Sequence, residues 1–167
     1  METNRCRLSK LQECDYDDVK KLYMNEEVRK FLGGTIADEK TFKAKFFDVL
    51  ENSNRGSLDW VIRAKSNDEF IGLITLDRHH DGMNTEVSYQ LLPNWWGDGY
   101  ATEVISQIIR YAFQEMGLPK VIAETQTANK SSCKLLERVG MKLEQTVQRY
   151  GAEQAIYGIE LSDVRVR

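Results

Sequence analysis

The chain has 167 residues, 41% of them hydrophobic and 29% charged, with a formal net charge of −3. That length suits one domain able to bury about two-thirds of its unfolded surface. The charge excludes a general electrostatic pull toward nucleic acid or a membrane, so an anionic ligand must be gripped by local geometry. Cys6, Cys14 and Cys133 are odd in number and lack metal-like spacing, which favours reduced thiols. With no leader pattern and no apolar run of about 18–20 residues, a cytoplasmic, non-membrane protein is expected. No repeat, low-complexity tract or linker interrupts the chain, so a single domain over 1–167 is expected, its core about 5–162.

"NRCRLSKL" (4–11) predicts a short strand. A helix follows through "ECDYDDVKKLYMNEEVRKFLGG", with Asp15 or Asp17 as N-cap, Val19, Leu22 and Tyr23 on one face and Gly33–Gly34 as a stop. A second helix is predicted over 38–50, where Phe42, Phe46, Phe47 and Leu50 recur at helical spacing. That aromatic stripe reads as core before it reads as a ligand wall.

The period then changes from helical to alternating. "LDWVIRAK" (58–65) and "EFIGLITLDR" (69–78) predict two strands joined by a hairpin at "SNDE". "NTEVSYQLLP" (84–93) predicts a third, with Glu86, Ser88 and Gln90 on one face and Val87, Tyr89 and Leu91 on the other. A glycine loop leads into a helix over 100–116, closed by Gly117 and Pro119. "KVIAETQT" predicts a buried strand. "NKSSCKLLERVG" predicts a helix with Leu135, Leu136 and Val139 on its apolar face. "MKLEQTVQRYGAEQAIYGIEL" predicts a closing hairpin turning near Gly151. The order β-α-α-β-β-β-α-β-α-β-β implies an α+β domain with a mixed, mostly antiparallel sheet flanked by helices.

Gly97 and Gly99, just ahead of the long helix, admit several explanations. A dinucleotide fingerprint fails because its third glycine is Thr102 and three antiparallel strands come first. A P-loop fails because no Gly-Lys-Ser/Thr follows. A plain strand-to-helix turn remains open. So does an anion site, since small residues aimed at a helix N-terminus present orphan amides and the positive end of the helix dipole.

"WWGDGYATE" resembles the acetyl-CoA signature Q/R-x-x-G-x-G/A of the GNAT superfamily of N-acetyltransferases, with Trp96, Gly97, Asp98, Gly99, Tyr100 and Ala101 in order. Its wording is most similar to the ribosomal-protein alanine acetyltransferase (RimJ/RimL-like) branch, as is the upstream "TEVSYQLLPNWWG". "ANKSSCKLLERVGMK" is similar to the family segment N-x-x-S-x-x-x-x-E-x-x-G-F, with Asn129, Ser132, Glu137 and Gly140 in place. Trp96 stands where many members have Gln or Arg, Met141 replaces a Phe, and Ser88 replaces a frequent Gly. Asp98 adds a negative charge that must point away from a bound diphosphate.

The resemblance implies direct attack of a primary amine on acetyl-CoA, the acceptor being a protein N-terminus, such as that of a ribosomal protein, or a small amine. It implies that amides of Gly97, Asp98, Gly99, Tyr100, Ala101 and Thr102 hold the diphosphate. The backbone of Gln90, Leu91 and Leu92 would face the acyl group, and Asn129 the pantetheine amide. Lys130 and Lys134 would approach the 3′-phosphate. A homodimer through the last strands is implied as well. Glu86 is the candidate base, its alternative being a solvated carboxylate pairing a cation across the sheet. Ser132 is the first candidate acid and Tyr89 the second, while Asn129 and Ser132 also suit simple capping.

No metal is expected. His79, His80 and Asp81 read as a solvated loop end, with a general-base role the alternative. Cys133 reads as inert packing rather than a nucleophile. Phe31, Phe42, Phe46 and Trp60, with Glu26, Glu27 and Asp59, read as core and surface before they read as an acceptor cleft. The competing functions are a non-catalytic acetyl-CoA-binding module and a nucleotide-phosphate binder.

Overall fold

The structure, a computed structural model, describes residues 1–165. The elements run β1 (Cys6–Lys10), a 3-10 turn (Glu13–Asp15), α1 (Tyr16–Tyr23), α2 (Glu26–Arg29), α3 (Glu39–Arg55), β2 (Leu58–Ala64), β3 (Phe70–Arg78) and β4 (Thr85–Leu91). After a second 3-10 turn (Pro93–Trp95) come α4 (Tyr100–Gln114), β5 (Lys120–Gln126), α5 (Lys130–Arg138), β6 (Lys142–Arg149), β7 (Ala152–Glu160) and α6 (Leu161–Arg165). The seven strands form one mixed sheet in the order β1-β2-β3-β4-β5-β7-β6. β4 and β5 are parallel, while β1–β2, β5–β7 and β6–β7 are antiparallel. The expected α+β class and mixed sheet are therefore correct.

The described residues divide into two compact units, Met1–Thr75 with Tyr89–Tyr100, and Leu76–Ser88 with the chain from Ala101 on. In the first, β1 pairs with β2 from Cys6↔Ala64 to Lys10↔Trp60. Its core gathers Leu11, Leu22, Phe42, Phe46, Val61 and Phe70. Phe42 and Phe46 are 0% and 1% exposed, each worth about 1.5–3 kcal/mol of burial. The Tyr16 ring sits 5.1 Å from both, edge-on to Phe46, a geometry that suits the aromatic quadrupole. Packing thus claims two members of the predicted stripe, while Phe47 lies at the surface. Trp60 and Asp59 are buried too, and Asp59 accepts from Ser57 and Thr75 hydroxyls.

The first predicted helix is broken into α1 and α2. Asn25 interrupts it by turning its side chain back to accept the Val28 N–H at 3.0 Å, so the backbone restarts with a cap instead of continuing. Asp15 does occupy the N-cap position of α1, yet its carboxylate makes no cap bond. It accepts instead from the Gln12 N–H at 2.9 Å and from Arg63 Nη2 at 3.1 Å. α3 begins as expected, with Asp38 accepting from the Thr41 amide and hydroxyl. It runs on past Leu50 to Arg55, where Gly56 at φ +133° stops it.

In the second unit, α4 buries Val104, Ile105, Ile108, Ile109, Ala112 and Phe113. β7 is buried from Gln154 to Ile159, whereas β6 is exposed along most of its length. That contrast explains why the closing hairpin lays β7, not β6, against β5. β6 is the sheet edge, and a register shift between Leu143 and Gln145 roughens it. The turn lies where predicted, with Tyr150 and Gly151 both at positive φ. α6 was not anticipated, and no helix among the described residues is long and apolar enough to cross a membrane.

Candidate active site

The glycine loop belongs to the first unit. The Leu92 amide donates to the Ile71 carbonyl at 2.9 Å, so it is already engaged. The Trp96 indole N–H donates to the Leu91 carbonyl at 2.8 Å, and Trp95 meets Tyr100 edge-on at 5.1 Å. These contacts fold the chain back before the helix. Gly97 and Gly99 both have φ +83°, a left-handed conformation that costs glycine nothing and strains other residues. A Cβ on Gly97 would meet nothing within 4 Å, and one on Gly99 would meet only Arg5 Nη2 at 3.4 Å. Backbone conformation is thus the first reason for both glycines. The loop from Trp96 to Gly99 is exposed and ends on the first turn of α4. The amides of Tyr100, Ala101 and Thr102 in that turn lack helical acceptors by geometry. An exposed loop, two αL glycines and a helix N-terminus fit a diphosphate held by main-chain donors. Asp98 is exposed as well.

At the start of α5, in the second unit, Asn129 Oδ1 accepts the Ser132 amide at 3.2 Å. Asn129 is therefore the N-cap, which leaves its Nδ2 free to donate and a second Oδ1 lone pair free to accept from a pantetheine amide. Ser132 is half-buried, while Lys130 and Lys134 are exposed. Cys133 is half-buried, its thiol 3.9 Å from the Gln126 carbonyl. Sequence reasoning missed Tyr157 on β7. It is buried and its hydroxyl donates to Glu137 Oε1 at 3.3 Å. Burial first, then Cys133 and Glu137, push its pKa above the ordinary tyrosine value. β7 is buried on both faces from Gln154 to Ile159, so period two along the strand could not single out Tyr157, and only the tertiary fold shows what it meets.

A polar grouping centred on Glu124 lies next to Glu86. The β4–β5 ladder registers Thr85↔Val121 and Glu86↔Ile122 and goes no further, although β4 continues to Leu91 and β5 to Gln126. At that end of the ladder the half-buried Glu86 carboxylate accepts the Glu124 main-chain N–H. Burial pushes the Glu86 carboxyl above its usual range; Glu124 and Asp77 reinforce the shift, while His79 and the Glu124 amide oppose it. A carboxylate of raised basicity is what proton abstraction near neutral pH requires.

The expected solvated loop end holds for His80, which is exposed, but not for His79. His79 is 2% exposed, and its Nε2 lies 2.9 Å from Glu124 Oε1. His80 Nε2 reaches the same oxygen at 3.2 Å, as does Arg149 Nη2 at 3.2 Å. Arg149 Nη1 lies 2.7 Å from His80 Nδ1. The correction is physical: a loop end that carries its own buried carboxylate partner is folded inward. His79, His80 and Glu124 also place three metal-competent atoms within 4.8 Å of one another. The Arg149 guanidinium bonds two of these groups, and a cation entering there would have to displace it.

A family model described as an acetyltransferase (GNAT) domain matches residues 5–142. The chain belongs to the GNAT acetyltransferase family. Among relatives, the uncharacterized N-acetyltransferase YoaA of Bacillus subtilis (strain 168) is 28% identical over 156 residues, spanning 90% of this chain and 86% of YoaA. Among solved structures, the spermidine N-acetyltransferase of Vibrio cholerae, in complex with CoA and spermine, superposes with a TM-score of 0.76 at 18% identity, covering 95% and 96% of the two chains. The ribosomal-protein-S5-alanine acetyltransferase of Vibrio fischeri gives 0.77 at 15% identity, covering 96% and 95%. At these identities the structures share the acetyltransferase fold with this chain. The protein is an N-acetyltransferase, and acetyl transfer to an amine is its general chemistry.

Proposed function

We propose that this acetyltransferase moves an acetyl group from acetyl-CoA directly to a primary amine, with Glu86 as the general base. The observation that carries the proposal is the anchored, half-buried Glu86 carboxylate at the end of the β4–β5 ladder, held above its ordinary pKa. Acetyl-CoA, when bound, supplies an activated thioester. The amides of Gly97, Asp98, Gly99, Tyr100, Ala101 and Thr102 hold its diphosphate through main-chain donors. Asn129 orients the pantetheine arm, and Lys134, with Lys130, neutralises the 3′-phosphate. Leu91 presents its main-chain amide where charge develops on the acyl oxygen, since the Leu92 amide is spent on Ile71 and the Gln90 amide, two residues back, points to that same side of the strand. Glu86 takes the proton that makes the acceptor amine nucleophilic. Ser132 donates a proton to the leaving sulfur, with Tyr89 the second candidate.

The acceptor class we favour is a small amine or an exposed protein N-terminus. The spermidine and ribosomal-protein enzymes that share this fold act on those two groups, according to their names. We further propose that both compact units serve one catalytic domain, that the enzyme acts in the cytoplasm, and that the exposed edge strand β6 supports a homodimer. A panel of amines, including spermidine and ribosomal-protein N-terminal peptides, scored by thiol release from acetyl-CoA, tests the activity. Turnover with one class and a large loss of kcat in Glu86→Gln are expected. Tight acetyl-CoA binding with no turnover on any amine would instead mark a non-catalytic binding module.

A further inference from the structure

We infer that Glu124, clamped by Arg149, His79 and His80, is the positioning residue for Glu86. The inference rests on Glu86 being the base. Three donors converge on one oxygen, Glu124 Oε1: His79 Nε2 at 2.9 Å, His80 Nε2 at 3.2 Å and Arg149 Nη2 at 3.2 Å. The arrangement sets the protons. Arginine only donates, so Arg149 Nη1 on His80 Nδ1 at 2.7 Å puts the His80 proton on Nε2, pointing at Glu124. His79 is held on its other side by Asp81, whose carboxylate lies 3.1 Å from Nδ1.

The consequence for Glu86 is both steric and electrostatic. The clamp fixes the Glu124 side chain, the β5–β7 ladder fixes its main chain at Glu124↔Ile156, and its main-chain N–H is the donor to Glu86. Its negative charge stands beside the base and is offset by Arg149. Arg149 keeps this posture although its Nε is buried without a hydrogen-bond partner among the described residues. An orphaned buried donor is unfavourable for folding, so the clamp is held against a cost. The charged and titratable groups that act on the base are His79, Glu124 on β5 and Asp77 on β3, while His80 and Arg149 bond to Glu124 and Asp81 to His79.

The test is the acid limb of the kcat/KM–pH profile, measured on the whole chain with acetyl-CoA and its best amine. Glu124→Gln keeps the main-chain N–H but removes a negative charge, so the limb moves to lower pH. Arg149→Met exposes that charge to the base, so the limb moves to higher pH. Each shift is on the order of half to one pH unit for charges at this range. The double variant returns toward the wild-type limb, and Arg149→Lys retains most of the wild-type position. A merely structural role lowers activity without moving the limb in opposite directions. Glu86→Gln separates the two levels of the argument. If it leaves kcat/KM and its limb intact, Glu86 is not the base and the inference falls with it. If it erases the limb while Glu124→Gln and Arg149→Met leave the limb in place, the inference alone is overturned. Should Arg149→Met fail to fold, the Glu124→Gln and Arg149→Lys profiles still decide.

Discussion

The main-chain N–H of Glu124 donates to the carboxylate of Glu86, at the last registered pair of the β4–β5 ladder. This anchors a charged group in a half-buried place, and the fold bears that burden. The unfolded carboxyl titrates near about 4.3, and burial raises the native value above it. The native state therefore holds its proton longer, and stability falls as pH rises from the unfolded value through the native one. Glu86→Gln is expected to be more stable than wild type at about pH 8, with the difference closing by about pH 4. Urea unfolding at both pH values checks this; a less stable variant at the higher pH would show that the carboxylate stabilises the fold.

Gly97 carries the loop through φ +83° with open space where a Cβ would sit. Gly97→Ala is expected to cost about 1 kcal/mol from backbone strain alone. Because the loop amides would re-aim, acetyl-CoA affinity should fall about tenfold or more, equivalent to roughly 1.4 kcal/mol. Gly99→Val adds a β-branched side chain at the same dihedral and should lose more. Titration calorimetry with acetyl-CoA decides, and wild-type affinity in both variants would remove the loop from the binding site.

Gly72 on β3 answers to a different constraint. A Cβ there would overlap the Gln90 carbonyl oxygen and lie 2.9 Å from Leu91 Cα. Backbone atoms of a paired strand cannot swing aside as a side chain can. Gly72→Ala is expected to destabilise by about 2–3 kcal/mol and to lower kcat by displacing Gln90 and Leu91. Urea midpoints together with single-turnover rates test both halves. Unchanged stability would mean that β3 and β4 part to admit a methyl group.

Arg63 joins β2 to the start of α1 through Asp15 at 3.1 Å and Asp18 at 2.8 Å. Burial pushes the Asp18 carboxyl up, but bonds from Arg63 and Lys21 outweigh it and hold it below the ordinary value. Stability from this pair is present above the unfolded value near about 3.9 and is lost as pH falls through the native one. Arg63→Met leaves two partly buried carboxylates facing each other, a loss of about 2 kcal/mol at neutral pH. The gap between variant and wild type should narrow below about pH 4. A gap constant from pH 7 to pH 3 would assign the loss to packing against Phe70, whose ring lies 5.7 Å from the guanidinium.

Local rules reached far along this chain. Alternation placed Val87 and Leu91 inside, and helical spacing placed Phe42 and Phe46 in the core. Asp38 and Asn129 cap their helices as their residue types predict. Gly97 and Gly99 marked the strand-to-helix loop, and with the Asn129–Ser132 segment they carried the family resemblance. The break at Asn25 was harder to see, because an asparagine within a helical pattern caps or continues according to where its side chain turns.

What the amino-acid sequence determined by itself was most of the elements, many of the inward faces and the glycine loop, since each depends on neighbours a few residues apart. The tertiary structure alone decided that Glu124 meets His79 across 45 positions and Arg149 across 25. Period two tells a residue its face but not which strand lies beside it. Laying β7 between β5 and β6 and folding the loop after β3 inward joined Glu124, His79, His80 and Arg149 into one hydrogen-bonded network.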